Sequence, residues 1–464
     1  MNARRPSLLE LEQAAAEEAR RYGCEQLRQR LQAIVDEQGA VCPSSGERLE
    51  EARFRPLPLI TTLGQITLRA RYGFHRSAQS WMFAVQELWG LQSRQELSPH
   101  LQQVLGYTAT ECGSYKKAEA MAKTWGVQIG ATTIRKHVQI LGAQAQCQQE
   151  RRTQRALDPH TRPEVLREAQ AKAPNALKAF NLVVMMDAWK GRERGPDWGL
   201  LPATAAGERV EWRDMKVAVI YRLDQIVEKP PANTDPATRP RRQILEKFCV
   251  ATPSGTKPEE FGRQVHAEAL RRGMAQARYV FVVSDGALWI WNIVEDRFVG
   301  AIQELDFYHA SEHLWDVARD LYPEPAQARQ WVEPLLHQLL HGKEQQVVKT
   351  LESLSEEARK FERLLSDLVR TEIQYFQTNR DRLHYQDNTA KGFPAGSGAV
   401  ESLCSQFEDR FKRTGQFWKS QSMGRLQALK VARQNGDWAE LCSSTSAYAA
   451  DSLSPVRSPV PTKN

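Results

Sequence analysis

Three acidic residues stand where this sequence could do phosphate chemistry. Asp187 closes the apolar run Phe180-Asn181-Leu182-Val183-Val184-Met185-Met186, Asp285 follows Tyr279-Val280-Phe281-Val282-Val283-Ser284, and Glu401 comes just after the turn Gly396-Ser397-Gly398. Uninterrupted β-branched and aromatic runs of this length suit strands buried on both faces. In open α/β sheets the carboxyl ends of such strands are where ligands bind. The acids are separated by 98 and 116 residues, so they come from separate elements. Three hard oxygen donors of this kind suit two Mg²⁺ or Mn²⁺ ions. Two ions about 3.5–4 Å apart clamp the attacking and leaving oxygens of an in-line phosphoryl displacement. Downstream of Asp285, Asp306 and His309 add a further carboxylate and an imidazole. Taken singly, Asp285 is explained by a loop turn and His309 by a helix end. Glu401 is explained by the favourable charge at a helix N-terminus, about 0.3–1 kcal/mol. Only the set points to chemistry.

The elements that must position these residues follow an order of strand, strand, helix, strand, which indicates a mixed α/β sheet. Lys216 to Tyr221 forms the second strand, and a helix over Glu259 to Ala275 leads into the run ending at Asp285. A Pro-rich stretch, 227–242, reads as an exposed loop. Beyond His309 the pattern is helical, with an all-helical block at about 320–378 resembling an insertion into the α/β domain. After Gly398, residues Val400, Leu403, Cys404, Phe407 and Phe411 recur at helical spacing, leaving Glu401 on another face. Residues 402–433 hold seven Lys/Arg, among them Arg410, Lys412, Arg413 and Lys419, against two acids. The Ser- and Pro-rich tail, 443–464, has the composition of a disordered segment.

The N-terminal part differs. Residues 6–38 form an amphipathic helix carrying Leu27, Leu31, Ile34 and Val35. Ile66, Leu68, Ala70 and Tyr72 alternate with polar residues as in a half-exposed strand. From Ser114 to Gly142 a helix, a break at Gly126 to Gly130 and a second helix suggest a helix-turn-helix. Thr132 and Thr133 sit at N-cap positions there. Its second helix would offer Thr133, Arg135, Lys136 and His137 to a DNA groove. Residues 105–162 carry nine Lys/Arg against four acids, an excess that fits phosphate contacts.

Composition sets the bounds. The 464 residues suffice for two or three domains, and 41% hydrophobic with 26% charged residues is ordinary for a soluble globular chain. The net charge of +7 permits a polyanionic partner. No apolar stretch is long enough to span a bilayer, and the N-terminus lacks an apolar signal core, so a cytoplasmic location is expected. Seven cysteines without a CxxC pair argue against a disulfide scaffold or a four-thiolate zinc site and read as small buried hydrophobes.

Four ordered blocks then carry a family resemblance: VVMMDAWK around Asp187, VVSDGALWIW around Asp285, LDFYHASEHLW around Asp306 and His309, and GSGAVES around Glu401. The last continues through Arg410, Gly415 and Trp418 to Leu429-Lys430 and Asn435-Gly436-Asp437-Trp438, and Asn379-Arg380, Arg382 and Tyr385 add to it. Over roughly residues 50–440 the chain resembles bacterial insertion-sequence transposases of the ISKra type, within the Mutator-like DDE group. The resemblance implies a ribonuclease H-like catalytic core over 175–440, interrupted by the helical insertion. A mainly helical DNA-binding region would precede it: an N-terminal helix in 1–50, then 51–150 with the helix-turn-helix near 114–142. It implies Asp187, Asp285 and Glu401 as the catalytic, metal-binding triad for two Mg²⁺ (or Mn²⁺) ions, with Asp306 and His309 as a supporting motif. Basic residues such as Arg410, Lys412, Arg413 and Lys419 would contact DNA. The implied partners are double-stranded DNA, as terminal inverted repeats and target, and a second copy of the chain, in a nucleoid-associated complex. Many relatives carry cysteine pairs where Gly73-Phe74-His75-Arg76 stands here, so no structural zinc is expected. Ala188 follows the first aspartate where glycine is frequent. A ribonuclease H-like nuclease or resolvase, or an inactive transposase-derived DNA-binding protein, would share most of these features.

Overall fold

Leu57 and Leu59 sit opposite Leu68 and Ile66 across an antiparallel pair, and this apolar face gives the N-terminal part its core. Strands β1 (Glu50–Thr61), β2 (Gly64–His75) and β3 (Ser80–Phe83) form a three-stranded sheet in that order. The helix Leu8–Gln38 lays Cys24, Leu27, Leu31 and Val35 against it. Ile34, expected on that stripe, is instead exposed. The sequence reading missed β1, because Pro56 and Pro58 and the arginines 53 and 55 break its apolar alternation. Proline is tolerated there because β1 is an edge strand whose outer side pairs, among the described residues, at Ile60 with Leu97 and not at Pro56 or Pro58.

The computed structural model describes residues 5–43, 45–91, 96–172, 179–195, 210–229, 241–360 and 364–443. The tail read as disordered lies outside them from residue 444 on, as does most of the Pro-rich stretch, 230–240. Two compact units emerge, Met1–Gln148 with Ala428–Asn464, and Gln149–Gln427. In the first unit the helix Pro99–Glu111 receives the closing block of the chain. Trp438 packs edge-on against Tyr107 with ring centroids 5.4 Å apart, and Arg433 reaches Glu111 at 2.5 Å. The block around Asn435 to Trp438 therefore serves the packing of this unit.

The second unit is mixed α/β. It contains β4 (Asn181–Arg194), β5 (Val210–Arg222), a small hairpin of β6 (Ile226–Lys229) and β7 (Arg241–Ile244), then β8 (Phe248–Ala251), β9 (Tyr279–Ser284) and β10 (Ile302–Leu305). Five of these form one sheet in the order β10-β9-β4-β5-β8. β4, β5 and β8 pair antiparallel, whereas β9 runs parallel to β4 and β10 parallel to β9. Side chains alternate across the sheet. Leu182, Val184, Met186, Ala218, Ile220 and Val282 enter a core with Phe261, Val265 and Ile290 from the helices Pro258–Arg271 and Leu288–Arg297. That core continues into the helices Phe307–Leu321, Pro325–Leu340, Glu344–Lys360 and Asp367–Asn379 through Leu314, Val332, Leu339, Leu351, Ile373 and Phe376. On the opposite face Phe281 stacks on Phe393 at 4.4 Å, and Trp189 packs against Phe407 and Phe411 of the helix Gly398–Phe411.

Of Asn379, Arg382 and Tyr385, noted in the sequence as a family run, Arg382 reaches the edge strand β10, Asn379 accepts from Arg382 at 3.2 Å, and Tyr385 packs edge-on against Phe307. The Arg382 guanidinium donates to Gln303 at 2.8 Å and stacks on Trp291. Next to it, Glu304 is fully buried; its carboxyl accepts the His384 N–H at 3.0 Å and a hydrogen bond from the Asn388 amide. Burial, reinforced by Glu344 and only partly offset by these donors, pushes its pKa up to about 8. The folded-state value lies above the unfolded one. The retained proton therefore stabilises the fold fully below the ordinary glutamate range, and that contribution is lost as pH rises through about 8. Denaturant titrations between pH 5 and pH 9 should show wild-type stability falling on the order of a few kcal/mol from this group. Glu304→Gln should remove most of that slope; an unchanged slope would mean that Glu304 is ionised in the fold.

Candidate active site

The hydrogen-bond register decides which acids meet. β4 and β9 pair from Asn181 opposite Tyr279 to Val184 opposite Val282. Carried three residues on, the same offset sets Asp187 beside Asp285. The Ser284 hydroxyl holds this extension by accepting the Met186 N–H at 3.0 Å. On the other side of β9, Leu305 lies opposite Ser284, and the Asp306 N–H donates to the Ser284 carbonyl at 2.9 Å. Asp306 thus follows at the same level. All three aspartates also share the parity of Val183 and Trp189, hence the sheet face covered by the helix Gly398–Phe411.

One expectation is corrected here. Asp187 does not end its strand, because β4 continues to Arg194 as one arm of a long hairpin with β5. That arm is useful to the site. The Trp418 N–H donates to the Arg192 carbonyl at 3.1 Å, and the Arg194 N–H to the Trp418 carbonyl at 2.8 Å. The segment after Glu401's helix is thereby fastened to the strand that carries Asp187.

The Asp187 carboxylate accepts the Ala188 N–H at 2.6 Å and the Cys404 thiol at 3.4 Å. Burial raises its pKa first, and repulsion from Asp285 adds to this, against the two hydrogen bonds and the nearby His309 imidazole. Asp285 accepts the Ala287 N–H at 3.0 Å. Asp306 is fully buried and caps the helix Phe307–Leu321 by accepting the Tyr308 and His309 N–H groups at 2.6 and 2.9 Å. Its second oxygen accepts the Ser397 N–H, while the Phe307 N–H donates to the Ala395 carbonyl at 2.9 Å. One carboxylate therefore ties the sheet edge, a helix start and the turn preceding Glu401. Glu401 occupies the first turn of the next helix, exposed, and accepts the Ser397 hydroxyl at 2.9 Å. Cys404, one turn on, is the contact between that helix and Asp187. Its thiol is pushed far up by burial, then by Asp187, with Glu408 and Glu401 adding to it.

Carboxylate oxygens are the donor type that a hard divalent cation takes. Asp187 and Asp285 lie within electrostatic range of one another, and Asp187 is held above its usual range chiefly by burial, with a smaller push from Asp285, a condition that a cation relieves. Among the described residues, no three His, Cys, Asp or Glu side chains converge closely enough to hold an ion as they stand. Glu401 is turned to Ser397, whose hydroxyl it accepts.

Of the residues expected to face DNA, Arg135, Lys136, Arg413 and Lys419 are exposed and Thr133 is half-buried. His137 is buried, and burial takes its pKa down to about 4. It falls on the stripe of Ile134, Val138 and Leu141, so it packs inward and is unavailable to a groove. The helix Ala131–Leu157 begins before Thr132 and Thr133, which lie in its first turn. The Ala131 N–H is taken by the Glu119 carboxylate at 3.0 Å. Arg410 is likewise buried, its guanidinium 5.3 Å from the Trp418 ring centroid. Lys412 pairs with Glu408 at 2.8 Å. Cysteines divide similarly: Cys42 and Cys249 are buried, but Cys147 is exposed.

Residues 6–166 and 268–442 match the profile of UPF0236, an uncharacterised protein family. The chain belongs to that family. Asp285, Asp306, His309 and Glu401 lie inside the matched segments, and Asp187 lies between them. A search of the curated proteins finds no match.

The sequence reading missed a cluster behind Asp285. The His313 Nδ1 lies 2.5 Å from the Glu372 carboxylate, and its ring packs at a tilt against Tyr375 with centroids 3.9 Å apart. Tyr375 in turn presses on Gly286; a Cβ there would meet the tyrosine ring at 2.1 Å. His313 falls one turn after His309 on the same helix, the single clue available beforehand. Gly286→Ala should force Tyr375 out and lower stability by about 1–3 kcal/mol in denaturant melts. Adding Tyr375→Ala should recover part of that loss, a non-additivity expected only if the two touch.

Proposed function

We propose that this protein is a DDE transposase of the ISKra type that cuts and joins DNA strands at the ends of a mobile element. The observation that carries the reading is the register that sets Asp187 beside Asp285 on neighbouring parallel strands, under the helix bearing Glu401. A three-stranded antiparallel meander extended by two parallel strands also supports a ribonuclease H-like core, with the helices after β10 as its insertion.

Asp187, Asp285 and Glu401 would hold Mg²⁺ or Mn²⁺, which supplies positive charge where the phosphoryl group becomes more negative. The chain's own part is mainly positioning. Asp285 is kept in place by the Ala287 N–H and by the close approach of Tyr375 to Gly286. Asp306 holds the turn from which Glu401 starts. His309 stands within electrostatic range of Asp187 and opposes its protonation. Arg413 and Lys419 in this unit, and Arg135 and Lys136 in the other, are exposed cations suited to DNA phosphates. Double-stranded element ends and target DNA are the partners, engaged by at least two copies of the chain.

Asp187→Asn and Asp285→Asn should each abolish strand cleavage and transfer on an end-containing duplex, with end binding in a mobility-shift assay retained. Joined products identify a transposase; cut ends alone would mean a nuclease, and persisting cleavage in either variant would remove these residues from the site. A second readout needs no activity. Asp187 has its folded pKa raised, so the carboxylate destabilises the fold as pH rises past the unfolded value. Without divalent cation at pH 7, Asp187→Asn should therefore melt higher than wild type. Mg²⁺ should raise the melting temperature of wild type and not that of the variant.

A further inference from the structure

Among the described residues, one face of the sheet of the first unit is covered by the N-terminal helix at one end only. On the face that packs against the N-terminal helix, Leu57, Leu59, Ile66, Leu68 and Ala70 are buried. Farther along, the same face carries Arg53, Arg55, Tyr72, Phe74, Trp81 and Phe83, all exposed or half-buried. The register makes this one surface: Arg53 lies opposite Tyr72, Tyr72 opposite Phe83, and Phe74 opposite Trp81. Tyr72 and Trp81 stack at 5.8 Å with their planes 21° apart, and Trp81 is 44% exposed. The Arg55 guanidinium lies 4.8 Å over the Tyr72 ring, an arrangement that leaves its N–H edge free for an anion. A groove of about 910 Å³ opens here, lined by Arg55, Pro56, Tyr72, Trp81 and Phe83 among others.

Charge selects the occupant. Between residues 50 and 76 the hairpin holds five arginines against two acids. On its reverse face, Arg69 and Arg71 lie 4.2 and 3.7 Å over the Phe54 ring. Aromatic faces offered beside guanidinium groups match a partner with flat bases and a phosphate backbone. Paired bases keep their faces inside the duplex, so the match is to a single strand. We propose that this open sheet end binds single-stranded nucleic acid, with bases on Trp81 and Tyr72 and phosphates at Arg53 and Arg55. The proposal is independent of the carboxylate site in the second unit.

The test is fluorescence anisotropy of the full chain with labelled oligothymidylate, with the same strand annealed to its complement, and with polyglutamate as competitor. Wild type should bind the single strand more tightly than the duplex. Trp81→Ala should weaken single-strand binding about tenfold, Trp81→Phe should retain most of it, and Arg53→Gln with Arg55→Gln should flatten the salt dependence. Asp285→Asn should leave binding unchanged, so loss of cleavage and loss of this binding are separable. Equal affinity of wild type and Trp81→Ala for oligothymidylate would overturn the proposal. So would competition by polyglutamate as effective as by unlabelled single strand, because charge alone would then account for binding.

Discussion

Strand β9 is the constraint on which the candidate site depends. It is short, buried along most of its length, and paired in parallel on both sides, with β4 and with β10. Because parallel neighbours run in the same direction, residues just past their paired segments come out at one level of the sheet. Asp187, Asp285 and Asp306 share that level, and none of them could be moved to another without changing the register of a strand whose last four residues are buried. A slip of one residue would also turn each side chain to the opposite face, putting a carboxylate into the apolar core. The same packing that stabilises the sheet thus places the acids.

Asp306 and Cys404 extend that order to the third acid. Asp306 is saturated with backbone donors from its own helix start and from Ser397, which makes it a structural joint between the sheet edge and the turn before Glu401. Cys404 touches Asp187 from the helix that begins at this turn. The hairpin arm beyond Asp187 closes the arrangement by pairing with Trp418. Glu401 itself is exposed and engaged with Ser397.

Several residue types carried different meanings once their surroundings were known. The blocks Asn379 to Tyr385 and Asn435 to Trp438, quoted in the sequence as accompaniments of the catalytic motifs, hold β10 and the N-terminal unit respectively. His137 and Arg410, basic residues in basic stretches, turned out to be core residues because each sits three positions from an apolar residue of a buried stripe. Basic composition identified the segments, but helical phase decided which cations reach solvent.

The sequence by itself determined the buried strands, the helical block after His309, the amphipathic helix of Glu401 and the acids as a chemical set, because apolar periodicity and residue type are local properties. What it could not determine was long-range: that the 98-residue spacing equals the β4–β9 register, that Asp187 lies within a strand rather than at its end, and that Cys404 contacts it. Nor could it show β1, whose prolines suit only an edge strand, or the His313–Glu372–Tyr375 cluster assembled from two helices. These depend on which elements pair and with what offset. Only the folded sheet sets that, since burying both faces of β9 leaves a single register available.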